Sequence, residues 1–349
     1  MAAIQYTDRG TAVRLSPTAR LLTRGVLAAL EAPSILNTQP WRWRIDHDRA
    51  ELHAERNRQL HAIDPEGRLL VLSCGVALHH ARVALAADGV AVEEIRFPDD
   101  RDRDLLATMR YVGTVEAVPE VQRLRRAITL RRTDRRPFAD LPVPDDALDR
   151  LREAAELVGA HLHIVRPEDV AEVAVAAGHA PDLEQSDSRE ELAVVVHPAN
   201  GSGDGVPPET TAAAGARPVP IRHFTGQGEV RVDSGVDVSD RFARYVVIVT
   251  DGDLPQDWLT AGEALSAVLL TATVQGLASS PMSDLVEVIA ARATLRHMLG
   301  NVGCPAIVVR VGVAGRHGAL PESTPAAIRA NSDGCRRSGA FSLRSFSRS

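Results

Sequence analysis

Two stretches of the chain are apolar on nearly every face. In one, Val71, Leu72, Val76, Leu78, Val83 and Leu85 leave little polar surface, and in the other Val268, Leu269, Leu270 and Val274 do the same. A helix that is apolar all round belongs inside a protein, so both stretches predict buried helices. Each contains a similar start, Gly75-Val-Ala-Leu and Gly262-Glu-Ala-Leu, and each ends at a second glycine, Gly89 and Gly276. Asp64 and Asp251 precede those starts, Leu72 matches Leu259, and Ala91 matches Ala278, all at an offset of 187 residues. Farther on, Leu106-Ala-Thr-Met109 before Val112-Gly113 echoes Leu295-Arg-His-Met298 before Val302-Gly303. Self-similarity at a fixed spacing predicts two copies of one fold, with the two buried helices packed together as an intrachain pseudo-dimer.

Upstream, a predicted helix over 21–31 and a strand over 41–45 correspond to a helix over 146–157 and a strand over 161–166. That offset is about 120–126 residues, so it must grow to 187 before the glycines. The second copy therefore carries an insertion, placed at about 181–239, where Pro, Gly and Ala dominate. Inserted segments of this size are lids, binding loops or linkers, and composition does not choose among them. The expected division is a first copy over 1–120, a second over 121–330, and a Ser/Arg-rich flexible tail over 331–349.

Composition narrows the chemistry. With 349 residues, 44% hydrophobic and 25% charged, the chain can bury a large core and is neither disordered nor fibrous. A net charge of −6 gives it no general attraction to nucleic acid. It shows no run of 18 apolar residues and no secretory leader, so no membrane partner and a cytoplasmic location are expected. Three scattered cysteines, Cys74, Cys304 and Cys335, fit a reducing compartment and no zinc site. All 40 basic residues are arginine. Without lysine, Schiff-base catalysis and the P-loop are excluded, and anions must be held by arginine, hydroxyls or backbone N–H groups.

Three segments carry candidate chemistry. Pro33-Ser-Ile-Leu-Asn-Thr-Gln-Pro-Trp41 packs Ser34, Asn37, Thr38 and Gln39 between two stiffening prolines. On its residues alone it reads first as a capped turn with Trp41 and Trp43 in the core. So many polar groups in a rigid turn also suit recognition of a planar polar ring. Arg131-Arg-Thr-Asp-Arg-Arg-Pro-Phe138 is either a solvated basic turn or a phosphate cradle, since arginine forks and a hydroxyl match phosphate. Gly276-Leu-Ala-Ser-Ser-Pro-Met-Ser-Asp284 has small residues that let backbone approach a flat ligand.

Together these segments resemble the FMN-dependent nitroreductase superfamily, and more closely its Acg family, over about 15–325. The resemblance implies an α+β fold, a nitroreductase-like α/β sandwich in two fused copies forming an intrachain pseudo-dimer, with a lid-like insertion in the second. It implies FMN as cofactor, NAD(P)H as reductant and a nitroaromatic or quinone acceptor, with no catalytic side chain because the flavin carries the chemistry. It places Arg131, Arg132 and Thr133 on the phosphate and Arg135 near flavin N1/O2. Pro33, Ser34, Asn37 and Gln39 fall on one side of the isoalloxazine, and Ser279, Ser280, Pro281 and Met282 along its face. For the family's C-terminal phosphate residue it offers Arg329, with Arg310 and Arg316 as rivals. The first copy lacks the arginine turn and the second lacks the polar loop, so one complete FMN site is expected. A further homodimer is left open.

Two departures stand out: Ile35 where the family often has Ser, and Ser283-Asp284 where it commonly has Glu-Gly. The alternative function is an FMN-sequestering, storage or redox-sensing protein of a dormancy response, with the lid closed and no turnover. The pair His161-x-His163 reads as a surface pair, His79-His80 as packing and Cys74 as an inert core thiol.

Overall fold

A computed structural model of the chain describes residues 3–6, 15–183, 186–196, 205–206, 219, 240–315 and 329–330. After a short strand β1 (Ala3–Tyr6), the first copy runs α1 (Pro17–Ala29), β2 (Trp41–Ile45), β3 (Arg49–Ala54), α2 (Arg68–Ala87), β4 (Val90–Arg96) and β5 (Leu105–Thr114). Helix α3 (Pro119–Leu130) leads to the second copy: α4 (Asp145–Glu156), β6 (His161–Ile164), β7 (Arg244–Thr250), α7 (Pro255–Val274), β8 (Leu277–Met282) and β9 (Cys304–Val313). The two sheets have the same antiparallel order, β2-β3-β5-β4 and β6-β7-β9-β8. Even a bulge is repeated: Leu52/His53 lie opposite Ala107 and Leu105, and Ile248/Val249 opposite Ile307 and Pro305. The first sheet alone is extended, by β1 and then β10 (Arg329–Ala330), both parallel. The two-copy α+β reading therefore holds.

The buried helices α2 and α7 differ by 187 residues at both ends. Each stops at a glycine in the left-handed region, Gly89 at φ 74° and Gly276 at φ 72°, from which the chain turns directly into β4 or β8. Their starts are equivalent in place but not in chemistry. Asp64 is buried and its carboxylate accepts the Leu70 N–H at 2.9 Å, whereas Asp251 is exposed and faces His161. In α7 the capping carboxylate is Asp257, which takes the Leu254 N–H at 2.9 Å. With a mean hydropathy of 1.6, α2 is long and apolar enough to cross a membrane, but 89% of that window is buried in this protein. It is a core helix.

Two sequence expectations are corrected. The echo of Leu106–Met109 in Leu295–Met298 is coincidental, because the first lies in β5 and the second in helix α9 (Ile289–Met298). The true mate of β5 is β9; α9 and the short α8 (Asp284–Glu287) fill a β8–β9 connection that in the first copy is a loop over 97–104. The insertion also begins earlier than 181. Residues 46–48 join β2 to β3, whereas 165–243 join β6 to β7 and include α5 (Val170–Leu183) and α6 (Ser186–Val196). The tail over 331–349 lies outside the described residues.

Candidate functional site

A cleft open to solvent lies between the copies. The first copy supplies the Pro33–Leu36 turn and, from α2, Leu69, Leu72, Ser73 and Val76; the second supplies Leu265 of α7, the end of β8 and Ile307 of β9. Thr133 and Arg135 come from the connection between them. The cleft therefore exists only because the two copies face each other.

The polar turn before β2 is held by backbone and side-chain bonds alike. Ser34 Oγ accepts the Gln39 N–H at 2.8 Å, Ser73 Oγ accepts the Ile35 N–H at 3.0 Å, and Arg58 donates to the Thr38 carbonyl at 2.6 Å. Leu36, Asn37 and Gln39 all have φ between 44° and 57°. Three left-handed non-glycine residues within four positions are costly, about 1–3 kcal/mol each, and clusters of such residues occur at functional sites. Pro33 and Ser34 line the cleft; Asn37 and Gln39 do not. Asn37 instead donates to the Gly205 carbonyl at 3.0 Å, and buried Gln39 approaches Asn37 Oδ1. They fasten the turn and part of the insertion rather than forming a wall. Trp41 and Trp43 are fully buried, and Cys74, whose thiol burial pushes up, donates to the Pro40 carbonyl at 3.3 Å.

The arginine segment is not a solvated loop. Thr133 pairs with Ser279 as a parallel bridge, and the Asp134 N–H donates to the Ser279 carbonyl at 2.9 Å. Asp134 pairs with Arg136 at 2.9 Å. Behind them Arg310, with no exposure, stacks 4.0 Å over the Phe138 ring and pairs with buried Asp240. Arg310 also donates to the carbonyls of Asp134 at 2.8 Å and Arg136 at 3.0 Å. Its role is to shape the turn, which removes it as a rival phosphate ligand.

Arg131 is 5% exposed and has no carboxylate within ion-pair distance among the described residues. Burial, and then the neighbouring charge of Arg132, pulls its guanidinium down to about 10, with Glu31 acting the other way. Its Nη1 lies 3.5 Å from Thr133 Oγ1. Arg132 is turned to the carbonyls of Thr129 and Arg131 at 2.9 and 2.8 Å. Ser280, Pro281 and Met282 line the cleft, while Ser279 is buried behind it in the Thr133 bridge. The Arg329 backbone pairs with β1, beyond β2 in the first sheet, and its side chain is outside the described residues, as is Arg316.

The repeat relates Ser73, Val76, Pro281 and Ser283 of the cleft to Thr260, Glu263, Glu94 and Arg96. Those four meet in one cluster with Arg82. Arg96 pairs with Glu263 at 2.7 Å and Glu94 at 2.9 Å and reaches Thr260 at 3.3 Å; Arg82 pairs with Glu263 at 2.9 Å. At these positions the apolar and hydroxyl lining of the first cleft is replaced by packed charge.

Sequence reasoning missed the α2, α7 and β9 walls. Ser73 was the available signal, a lone hydroxyl amid the apolar residues of α2. Part of the insertion sits beside the cleft: Glu191 accepts the N–H groups of Ala62 and Ile63 at 3.1 and 3.0 Å, and Val206 packs with Leu36, Leu60 and Ile63.

Comparison with protein-family models finds no match. Among curated proteins the chain is 38% identical over 302 residues to the Mycobacterium tuberculosis (strain H37Rv) protein named "Putative NAD(P)H nitroreductase Rv3131", covering 85% of this chain and 86% of the relative. It is 32% identical over 317 residues to "Putative NAD(P)H nitroreductase acg" of the same strain, covering 88% and 93%. Among solved structures, a nitroreductase with bound FMN from Bacteroides fragilis aligns with 62% of this chain and 98% of its own at 15% identity and a TM-score of 0.37.

Proposed function

Because the chain belongs to the Acg family of nitroreductase-like proteins, we propose that it is an FMN-binding oxidoreductase with one cofactor cleft built from both copies. The observation that carries the reading is Arg131, which stands behind Thr133 rather than on the cleft wall itself. A buried cation without a paired anion costs several kcal/mol, and a phosphate monoester offsets that cost. The cleft suits the rest of the cofactor: Leu69, Leu72, Val76, Leu265 and Ile307 give apolar walls, and Thr133, Arg135 and Ser280 give polar groups.

When bound, FMN supplies two-electron transfer between NAD(P)H and an electron-poor acceptor, a nitroaromatic or a quinone. Arg131 and Thr133 bind the phosphate, and Arg132 adds charge beside them. Arg135 brings a positive group to the cleft wall. Ser280, Pro281 and Met282 bring strand backbone against the ring. Asn37 and Gln39 act indirectly, by holding the Pro33–Leu36 turn in its left-handed path. No side-chain acid or base is assigned.

A second reading has the chain hold FMN without turnover, as a store or sensor. The docking of Glu191 and Val206 beside the Pro33–Leu36 turn favours it. Absorption spectra of the purified protein separate the two. Flavin bands bleached by anaerobic NADPH or NADH support the oxidoreductase. Bands bleached by dithionite alone favour the store. No bands, with none gained on adding FMN, reject both.

A further inference from the structure

Two buried polar atoms make no hydrogen bond among the described residues, Nε2 of His80 and Nε of Arg131, and each lies about one turn from the place where Ala127 and Ile128 of α3 pack with Val83 and Ala84 of α2. His80 is 0% exposed and Arg131 is 5% exposed. The bonds on the other side of the His80 ring decide what its Nε2 can do. Nδ1 lies 3.0 Å from the Val76 carbonyl oxygen and 2.8 Å from Ser266 Oγ. A carbonyl only accepts, so Nδ1 carries the proton and Nε2 carries a lone pair. The Ser266 hydroxyl accepts from His80 and donates to His79 Nδ1, 2.7 Å away. This chain of three fixes His80 Nε2 as an acceptor, and Arg131 Nε–H is a donor.

Two further observations bear on the pair. Burial first, and then the charge of Arg131, holds the His80 imidazole down to about 3, so its lone pair persists at neutral pH. The network is also one-sided. His79 and Ser266 are repeat mates, but the mate of His80 is Ala267. The extra imidazole stands only in the copy whose α2 approaches the arginine turn.

We propose that His80 is a positioning residue for Arg131: its Nε2 takes the Nε–H through one bridging water and leaves the terminal nitrogens for an anion at the Thr133 end of the cleft. Nη1 already lies on that side, 3.5 Å from Thr133 Oγ1. That the anion is the FMN phosphate rests on the function proposed above; the pairing itself does not.

Asparagine at position 80 keeps a polar group near Nδ1 and loses the one at Nε2, and glutamine does the reverse. In cofactor-free, 15N-labelled protein, NMR reads the exchange of the Arg131 Nε–H, identified by its loss in Arg131→Lys. The pairing predicts exchange about tenfold or more faster in His80→Asn and within about threefold of wild type in His80→Gln. FMN affinity then follows the same order, while affinity for riboflavin, which lacks the phosphate, stays unchanged. A merely structural imidazole predicts the opposite order, because Asn preserves the Ser266 bond. Equal exchange in all three proteins, or faster exchange in His80→Gln than in His80→Asn, overturns the pairing. Exchange in the predicted order with no FMN bound by any variant upholds the pairing and rejects the function assigned to the cleft.

Discussion

Gly75 and Gly262, mates in the repeat, touch where α2 crosses α7. A Cβ on Gly75 would lie 2.1 Å from the Leu259 carbonyl oxygen, and one on Gly262 would lie 1.9 Å from that of Leu72. Leu72 and Leu259 are themselves mates, so the contact is reciprocal, as at a twofold interface between identical subunits. Here both halves belong to one chain. The neighbours are backbone atoms that no rotamer change can move. Gly75→Ala and Gly262→Ala should each cost about 3 kcal/mol or more by denaturant unfolding. The double variant should cost less than the sum, since both substitutions force apart the same two helices.

Arg131 is expected to separate phosphate recognition from ring recognition. Arg131→Ala should weaken FMN binding about 100-fold, the worth of one or two charge-assisted hydrogen bonds. Riboflavin binding should change by less than about threefold. Fluorescence titration measures both.

Glu263 tests the charged cluster that stands at the mates of the cleft positions. Burial, opposed by Arg82 and Arg96, raises its carboxyl from the usual 4.5 to about 7. A raised folded pKa means that the folded state holds a proton that the unfolded chain has already lost. The stabilising contribution is therefore full below about pH 4.5 and lost as pH rises through 7. Asp64 adds a slope of the same sign, and buried His79 and His80 one of opposite sign. The comparison must be between proteins: wild type minus Glu263→Gln should decline from pH 4.5 to 7.5 in urea unfolding. A flat difference would show that Glu263 does not titrate in this range.

The Arg310–Asp240 pair, both members without exposure, shapes the arginine turn through the carbonyls of Asp134 and Arg136. Removing one member leaves the other charged and buried, a loss of about 3–5 kcal/mol. Asp240→Asn should lower the unfolding midpoint accordingly. It should also weaken FMN binding, because Thr133 and Arg135 belong to the same turn.

Much of this was legible in the sequence because helix α2 and its mate carry an uninterrupted apolar pattern bounded by glycines. That pattern fixed the 187-residue offset, the two-copy plan and the buried seam. The Leu106 and Leu295 segments misled because Leu-x-x-Met suits a strand covered on both faces, as β5 is at Leu106, Ala107 and Met109, as well as a helix; only the sheet pairing of β5 and β9 tells them apart. The division of labour within the polar turn was hidden too. Ser34, Asn37 and Gln39 look alike in sequence, but the left-handed backbone at Leu36, Asn37 and Gln39 leaves Ser34 at the cleft and the other two off its wall. The insertion boundary shifted because 170–183 is helical and alanine-rich, with only Gly178 and Pro181 near its end to set against the dense Pro/Gly content of 198–220.

The chain repeats itself, yet the proposed FMN site is single and composite. Equilibrium titration of the flavin-stripped protein with FMN, read by quenching of flavin fluorescence, tests it most directly. A single composite site saturates at one FMN per chain, and Arg131→Ala loses that binding. Saturation at two per chain, or no binding by the wild-type protein, would contradict it.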